Sequence, residues 1–307
     1  MKSAIIACAL LAAGPAVAQQ ATGEKKKESE MSMSAPAKPS VEKRSAEVTV
    51  DIKATPEAVW KALTTADELI RWFPLEASVK PGVGGSMTTS WGEGMKWESP
   101  ITIWEPQKRL RTLWCPPNTP EADLFGVDFF IEDKGGGVTR LRLVHFGFST
   151  GAQWDTMYDG VSRGWDFMCW GLKNYLERHA GTPRDIVYFH RDIGVSKRKE
   201  AWKAAFEPGG LLPGVRPADL KPGDRFTSTV GGVEISGTVR KIIPDLDFQA
   251  SIDTLNGAMV RIQLDPCKGG PGDEIGATLS TFGVEPARVD AIRQSWSGTL
   301  DRMAATK

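Results

Sequence analysis

Two stretches of this 307-residue chain carry the same signals in the same order, and that repeat constrains the fold more than any other feature. In the first, Ala46, Val48, Val50 and Ile52 alternate as a strand with one apolar face. Thr55-Pro56 opens a helix with Thr as cap and Pro at the first helical position, and Val59, Trp60 and Leu63 form its apolar face. A second short helix follows, in which Thr65-Ala66-Asp67-Glu68 reads as a capping box. Lys80-Pro81-Gly82 then turns the chain into glycine-punctuated strands. In the second stretch Asp192-Ile193 repeats Asp51-Ile52, and Ser196 is the expected cap of a helix carrying Trp202-Lys203-Ala204, which repeats Trp60-Lys61-Ala62. Lys221-Pro222-Gly223 repeats the turn, and Pro244 stands where Pro106 stood.

The closing elements match best. Phe146-Gly147 and Phe282-Gly283 each end a strand. Each precedes a long helix with apolar residues three and four apart: Tyr158, Val161, Trp165, Met168, Leu172 and Tyr175 in one, Val289, Ile292, Trp296, Leu300 and Met303 in the other. Strands segregated from helices predict an α+β fold. Two domains are expected, at 45–180 and 184–305, joined through Gly181 and Pro183.

The start of the chain has a different character. Lys2, the apolar run Ala4–Ala13 and Ala16-Val17-Ala18 have the order of a signal peptide cleaved after Ala18, so 1–18 is expected to be removed and the protein to be periplasmic or secreted. Residues 19–44 are polar, charged and proline-broken, which predicts a flexible linker. No later stretch is long and apolar enough for an integral membrane segment. Lys+Arg and Asp+Glu both number 38, so no net field draws the chain to nucleic acid. With Cys8 lost, Cys115, Cys169 and Cys267 are an odd set with no zinc spacing, expected as buried free thiols.

Ala54-Thr55-Pro56-Glu57-Ala58-Val59-Trp60-Lys61-Ala62-Leu63, then Arg71-Trp72-Phe73, resembles the opening of the START-like (SRPBCC) superfamily. Thr139-Arg140-Leu141-Arg142-Leu143 with His145-Phe146-Gly147-Phe148, and Gly164-Trp165-Asp166, are similar to the closing motif of its branch named after the activator of the heat-shock-ninety chaperone ATPase. The resemblance covers 46–177 well and 185–303 more weakly; there the Arg-Trp-Phe segment is missing and Gly209–Gly214 stands near its place. It implies two helix-grip domains, the first a seven-stranded antiparallel sheet around a C-terminal helix and an apolar tunnel, the second a degenerate copy with a reshaped or filled cavity. The superfamily holds lipid carriers, hormone receptors, aromatase/cyclases and chaperone partners, so the fold alone names no activity. Chaperone activation fits an exported protein poorly, because ATP is absent outside the inner membrane.

Eleven tryptophans against three tyrosines suggest an aromatic-lined cavity. Strand alternation places Leu141, Leu143 and His145 on one face. They are expected to face Val161, Trp165 and Met168 across the tunnel, with Trp72 and Phe73 at its mouth and Trp91 and Trp97 in its wall. Trp104 and Trp114 sit on the same run of strands. Asp128 is expected to pair with Arg140 or Arg142 across strands. The histidines 145, 179 and 190 are scattered and no metal site or cofactor is indicated. The leading expectation is a non-catalytic protein that binds a small hydrophobic or aromatic molecule in the first domain. The alternatives are a cyclase- or hydrolase-type enzyme using His145 as its base, and a protein-interaction module.

Overall fold

The computed structural model describes residues 42–92, 94–115, 119–120, 123–266 and 272–305. The expected signal segment, residues 19–41 of the expected linker, and Cys267 lie outside them. The first domain runs β1 (Lys43–Ile52), α1 (Pro56–Thr64), α2 (Ala66–Leu69), β2 (Glu76–Lys80), β3 (Ser86–Ser90), β4 (Lys96–Glu105), β5 (Arg109–Leu113), β6 (Gly126–Gly135), β7 (Val138–Ser149) and α3 (Asp155–Arg178). Its seven strands form one antiparallel sheet in the order β1-β7-β6-β5-β4-β3-β2. The second domain runs β8 (Arg184–Gly194), α4 (Arg198–Phe206), β9 (Arg225–Val230), β10 (Val233–Ile243), β11 (Asp247–Ile252), β12 (Ala258–Pro266), β13 (Asp273–Phe282) and α5 (Pro286–Ala305). Its six-stranded sheet, β8-β13-β12-β11-β10-β9, is the first order with one edge strand removed.

The repeat persists in backbone detail. Pro106-Gln107 and Pro244-Asp245 occupy the same hairpin turn, with Gln107 at φ +60° and Asp245 at φ +59°. Both copies bulge just before that hairpin, at Ile101/Ile103 and at Val239/Lys241. Both glycines of the Phe-Gly pairs have positive φ. At Gly147 a Cβ would also lie 2.2 Å from the Leu124 carbonyl oxygen, so only glycine fits.

Local signals worked where nothing competed for the side chain. Thr55 Oγ1 accepts from the Ala58 amide at 3.2 Å and Pro56 opens α1 as expected. The capping box at Thr65 does not form. Thr65 Oγ1 donates to the Lys61 carbonyl at 2.7 Å, and Glu68 accepts instead from the Tyr175 hydroxyl at 2.6 Å. Ser196 does not cap α4; it takes φ +57°, and the Asp273 carboxylate of β13 accepts from the Arg198 amide at 3.2 Å. Asp128 pairs with neither Arg140 nor Arg142. The register sets Arg111 directly opposite it, and Arg109 and Arg111 both donate to its carboxylate. Arg140 bonds Asp51 and Arg142 bonds Glu47 on the outer face.

The packing forms four layers: first sheet, α3, second sheet, α5. Val161, Trp165, Cys169 and Leu172 of α3 join the first core, while Val289, Ile292, Trp296 and Leu300 of α5 are fully buried in the second. The far side of α3 meets the second sheet. Arg163 reaches Asp247 at 3.4 Å and also Asp265, Asp166 accepts from Arg240 and Lys241, and Asn174 donates to the Gly257 carbonyl. The second sheet is therefore buried on both faces, and its inter-domain face holds the Asp247–Arg261 pair, with Arg261 Nη2 2.6 Å from the carboxylate. A carboxylate that deep is tolerable only when fully bonded, and Gln249 supplies a further donor at 3.2 Å. Of the remaining cysteines, Cys169 is buried and free, its thiol pushed up to about 12 chiefly by burial, and Cys115 is a half-buried free thiol. No helix among the described residues is long and apolar enough to cross a membrane.

Candidate functional site

A cavity of about 120 Å³ lies where the two domains meet. An apolar cavity of ~150 Å³ is enough to admit benzene. One wall is aromatic and comes from the first domain: Phe73 after α2, Trp91 after β3, Trp97 on β4, Trp114 after β5 and Trp165 on α3. These rings are mutually locked. Phe73 stacks on Trp165 with centroids 5.2 Å apart and meets Trp91 edge-on at 5.6 Å. Trp114 lies 6.1 Å from Trp97 and 6.3 Å from Trp165. Val161, Phe167 and Met168 of α3 complete the wall.

The floor is the inter-domain face of the second sheet, in three rows of cross-strand neighbours. Tyr188, Thr278 and Arg261 form one row, His190, Gly276 and Gln263 the next, and Glu274 and Asp265 the third. His190 Nδ1 is 3.0 Å from Glu274 Oε1. A carboxylate only accepts, so Nδ1 carries the hydrogen. Tyr188 bridges wall and floor, with its ring 5.2 Å from Trp91 and 4.8 Å from His190.

The expected site residues divide into two groups. Phe73, Trp91, Trp97, Val161, Trp165 and Met168 all line the inter-domain cavity. Trp72 is buried behind it, donating from Nε1 to the Ala62 carbonyl at 2.8 Å and lining a smaller void of about 30 Å³ inside the first domain. Leu141, Leu143 and His145 line none of the described cavities. They do not face Trp165 across open space, because Trp165 fills it: its Nε1 donates to His145 Nδ1 at 2.9 Å. His145 is fully buried among the rings of Trp114, Phe125 and Phe148, at 4.5, 4.7 and 4.8 Å. Burial lowers its pKa to about 3, so the ring is neutral, with its proton on Nε2. That Nε2 has no partner among the described residues. A sealed, neutral imidazole whose one lone pair is already taken is poorly placed to act as a base. Trp104 lies apart from the cavity, edge-on to Trp60 at 5.0 Å.

The sequence reading placed Trp114 on the tryptophan-bearing strands without assigning it to the site, and it missed the whole floor. The available signal was Tyr188 and His190 two apart on a strand whose other face, Val187 and Phe189, packs into the core. A strand apolar on one face and aromatic on the other is buried on both. None of the described cavities lies within the second domain's own core. The 209–214 loop inserts Leu211 and Leu212, both fully buried, and Trp296 Nε1 donates to the Leu211 carbonyl at 2.8 Å.

Residues 53–177 match the model of the family described as activator of Hsp90 ATPase homolog 1-like protein. The first domain is similar to this family over those residues. The match ends within α3, so the matched domain supplies the aromatic wall and the repeat that follows supplies the floor. No curated protein matches the chain. Solved structures similar to it include MLL2253 from Mesorhizobium loti, 28% identical, covering 44% of this chain and 98% of that one, with a TM-score of 0.39. The Aha1 dimer from Colwellia psychrerythraea is 24% identical over 45% of this chain and 99% of that one, TM-score 0.39. The di-domain ARO/CYC BexL from the BE-7585A biosynthetic pathway is 15% identical over 85% and 98%, TM-score 0.37.

Proposed function

We propose that this is an exported protein that binds a small apolar or aromatic molecule, without transforming it, against the aromatic wall of the inter-domain cavity. The observation that carries the reading is the convergence of Phe73, Trp91, Trp97, Trp114 and Trp165 on one open space instead of a filled core. An aromatic ligand burying ~200 Å² there would gain about 5 kcal/mol of transfer free energy, before the cost of association. The enzyme alternative has less support, since His145 packs among aromatic rings and no second titratable group among the described residues joins them. The interaction-module alternative lacks a surface: the exposed large apolar side chains among the described residues are Ile70, Val83 and Val195, on three separate loops.

Titration with naphthalene, followed by tryptophan fluorescence, tests the reading. Saturable quenching is expected in the wild type, weakened at least tenfold in Trp97→Ala, a half-buried position whose loss the sheet should survive. Saturable binding of unchanged affinity in both Trp97→Ala and Trp114→Ala would place the ligand elsewhere. Export is tested separately by N-terminal sequencing of the protein made in its own cell. The mature chain should begin at Gln19, and an intact Met1 would overturn export.

A further inference from the structure

We infer that the second domain supplies the polar half of the binding site through His190 and Glu274, and that the ligand is a neutral aromatic molecule bearing a hydroxyl group. The inference rests on the reading that the inter-domain cavity holds a ligand. Gly276 lies between His190 and Gln263 in one row of the floor. A Cβ there would come within 2.9 Å of His190 Cε1 and of Gln263 Cγ, so the missing side chain is what lets both neighbours lean over the strand. Opposite, Gly160 and Gly164 border the cavity from one face of α3, and a Cβ at Gly164 would meet nothing within 4 Å. Glycine inside a helix costs ~1 kcal/mol relative to alanine, and here packing does not require it.

The charges around the cavity are already paired: Arg261 with Asp247, Asp265 with Arg163, and Glu274 with His190. A charged ligand would find no uncompensated partner, which points to a neutral one. With Nδ1 held by Glu274, the imidazole nitrogen left for a ligand is His190 Nε2. It has no partner among the described residues and is not among the sealed, unsatisfied atoms. A hydroxyl suits this nitrogen in either protonation state, donating to the neutral ring or accepting from the protonated one. Ring on the tryptophan wall and hydroxyl on His190 is then the binding pose, and neither domain alone offers both.

The test compares 2-naphthol with 2-methylnaphthalene, which replaces the hydroxyl by a methyl of similar size, by calorimetric titration of the full chain. The wild type should bind 2-naphthol about tenfold more tightly. His190→Phe and Glu274→Gln should each abolish that preference while leaving the 2-methylnaphthalene affinity within about twofold, which also shows that the cavity is intact. Equal affinities in the wild type, a preference that survives both substitutions, or parallel loss of both probes would overturn the inference. If neither probe binds the wild type, the ligand-cavity reading itself fails and takes this inference with it.

Discussion

At the scale of single residues, the pair His145–Trp165 defines how the cavity is closed from behind. Burial holds the His145 pKa at about 3, whereas the unfolded chain should titrate near 6.5. Between those values the unfolded state binds a proton that the folded state refuses. Stability therefore falls as pH drops from about 6.5 toward 3, by about 1.4 kcal/mol per unit, and the effect is absent above 6.5. His145→Gln, which can still accept from Trp165, should lose stability less steeply between pH 6.5 and 4.5 in urea denaturation. Equal slopes in the two proteins would show that His145 is not held neutral. Much of the aromatic half of the site was legible because Phe73, Trp91, Trp97 and Trp165 are large, apolar and grouped on elements of one domain. His190 and Glu274 were not, because they lie 84 residues apart and meet only through the pairing of β8 with β13. Leu141 and Leu143 were assigned to the right face of β7, but alternation cannot tell a face that borders space from one that a tryptophan already fills.

Among the elements, α3 is the informative one, because its buried positions fall on two faces. Val161, Trp165 and Leu172 face its own sheet, and Arg163 and Asn174 face the other domain. Its three-and-four spacing made the helix and the first face readable. The second face carries charges that read as solvated until the domain they pair with is in place. Gly164→Ala tests what the notch in this helix is for. Alanine should raise stability by up to ~1 kcal/mol, since a Cβ there meets nothing and the unfolded chain loses freedom. The same substitution should weaken naphthalene binding. A stabilised variant with undiminished binding would mean that the notch does not border the ligand. The capping errors at Thr65 and Ser196 have a common origin: in both places a carboxylate found or served a partner distant in sequence, Glu68 on Tyr175 and Asp273 on Arg198. Local propensity is the weaker term once such a contact exists.

For the molecule as a whole, α3 clamped between two sheets should make the domains unfold together. Far-ultraviolet and near-ultraviolet circular dichroism should report one coincident transition, and two resolved steps would show that the interface is weak. Asp166 is central to that clamp. Burial alone would raise its pKa, but hydrogen bonds and charge from Arg240 and Lys241 outweigh burial and hold it at about 2. Its contribution is present above about pH 3.8 and is lost as pH falls toward 2, so at pH 7 Asp166→Asn should destabilise the protein by about 2 kcal/mol in denaturant titration. The two copies are stacked, not related by a twofold axis: sheet, helix, sheet, helix. Such an operation is head-to-tail and has no built-in closure, so a third copy could in principle lay its sheet on α5. The outward face of α5 carries Asp290, Gln294, Asp301 and Arg302, all exposed, where α3 presents Phe167 and Trp170 to its neighbour. The second repeat thus wears the polar coat of a terminal cap, which solenoid proteins need for solubility, while the first keeps the adhesive face of an internal unit.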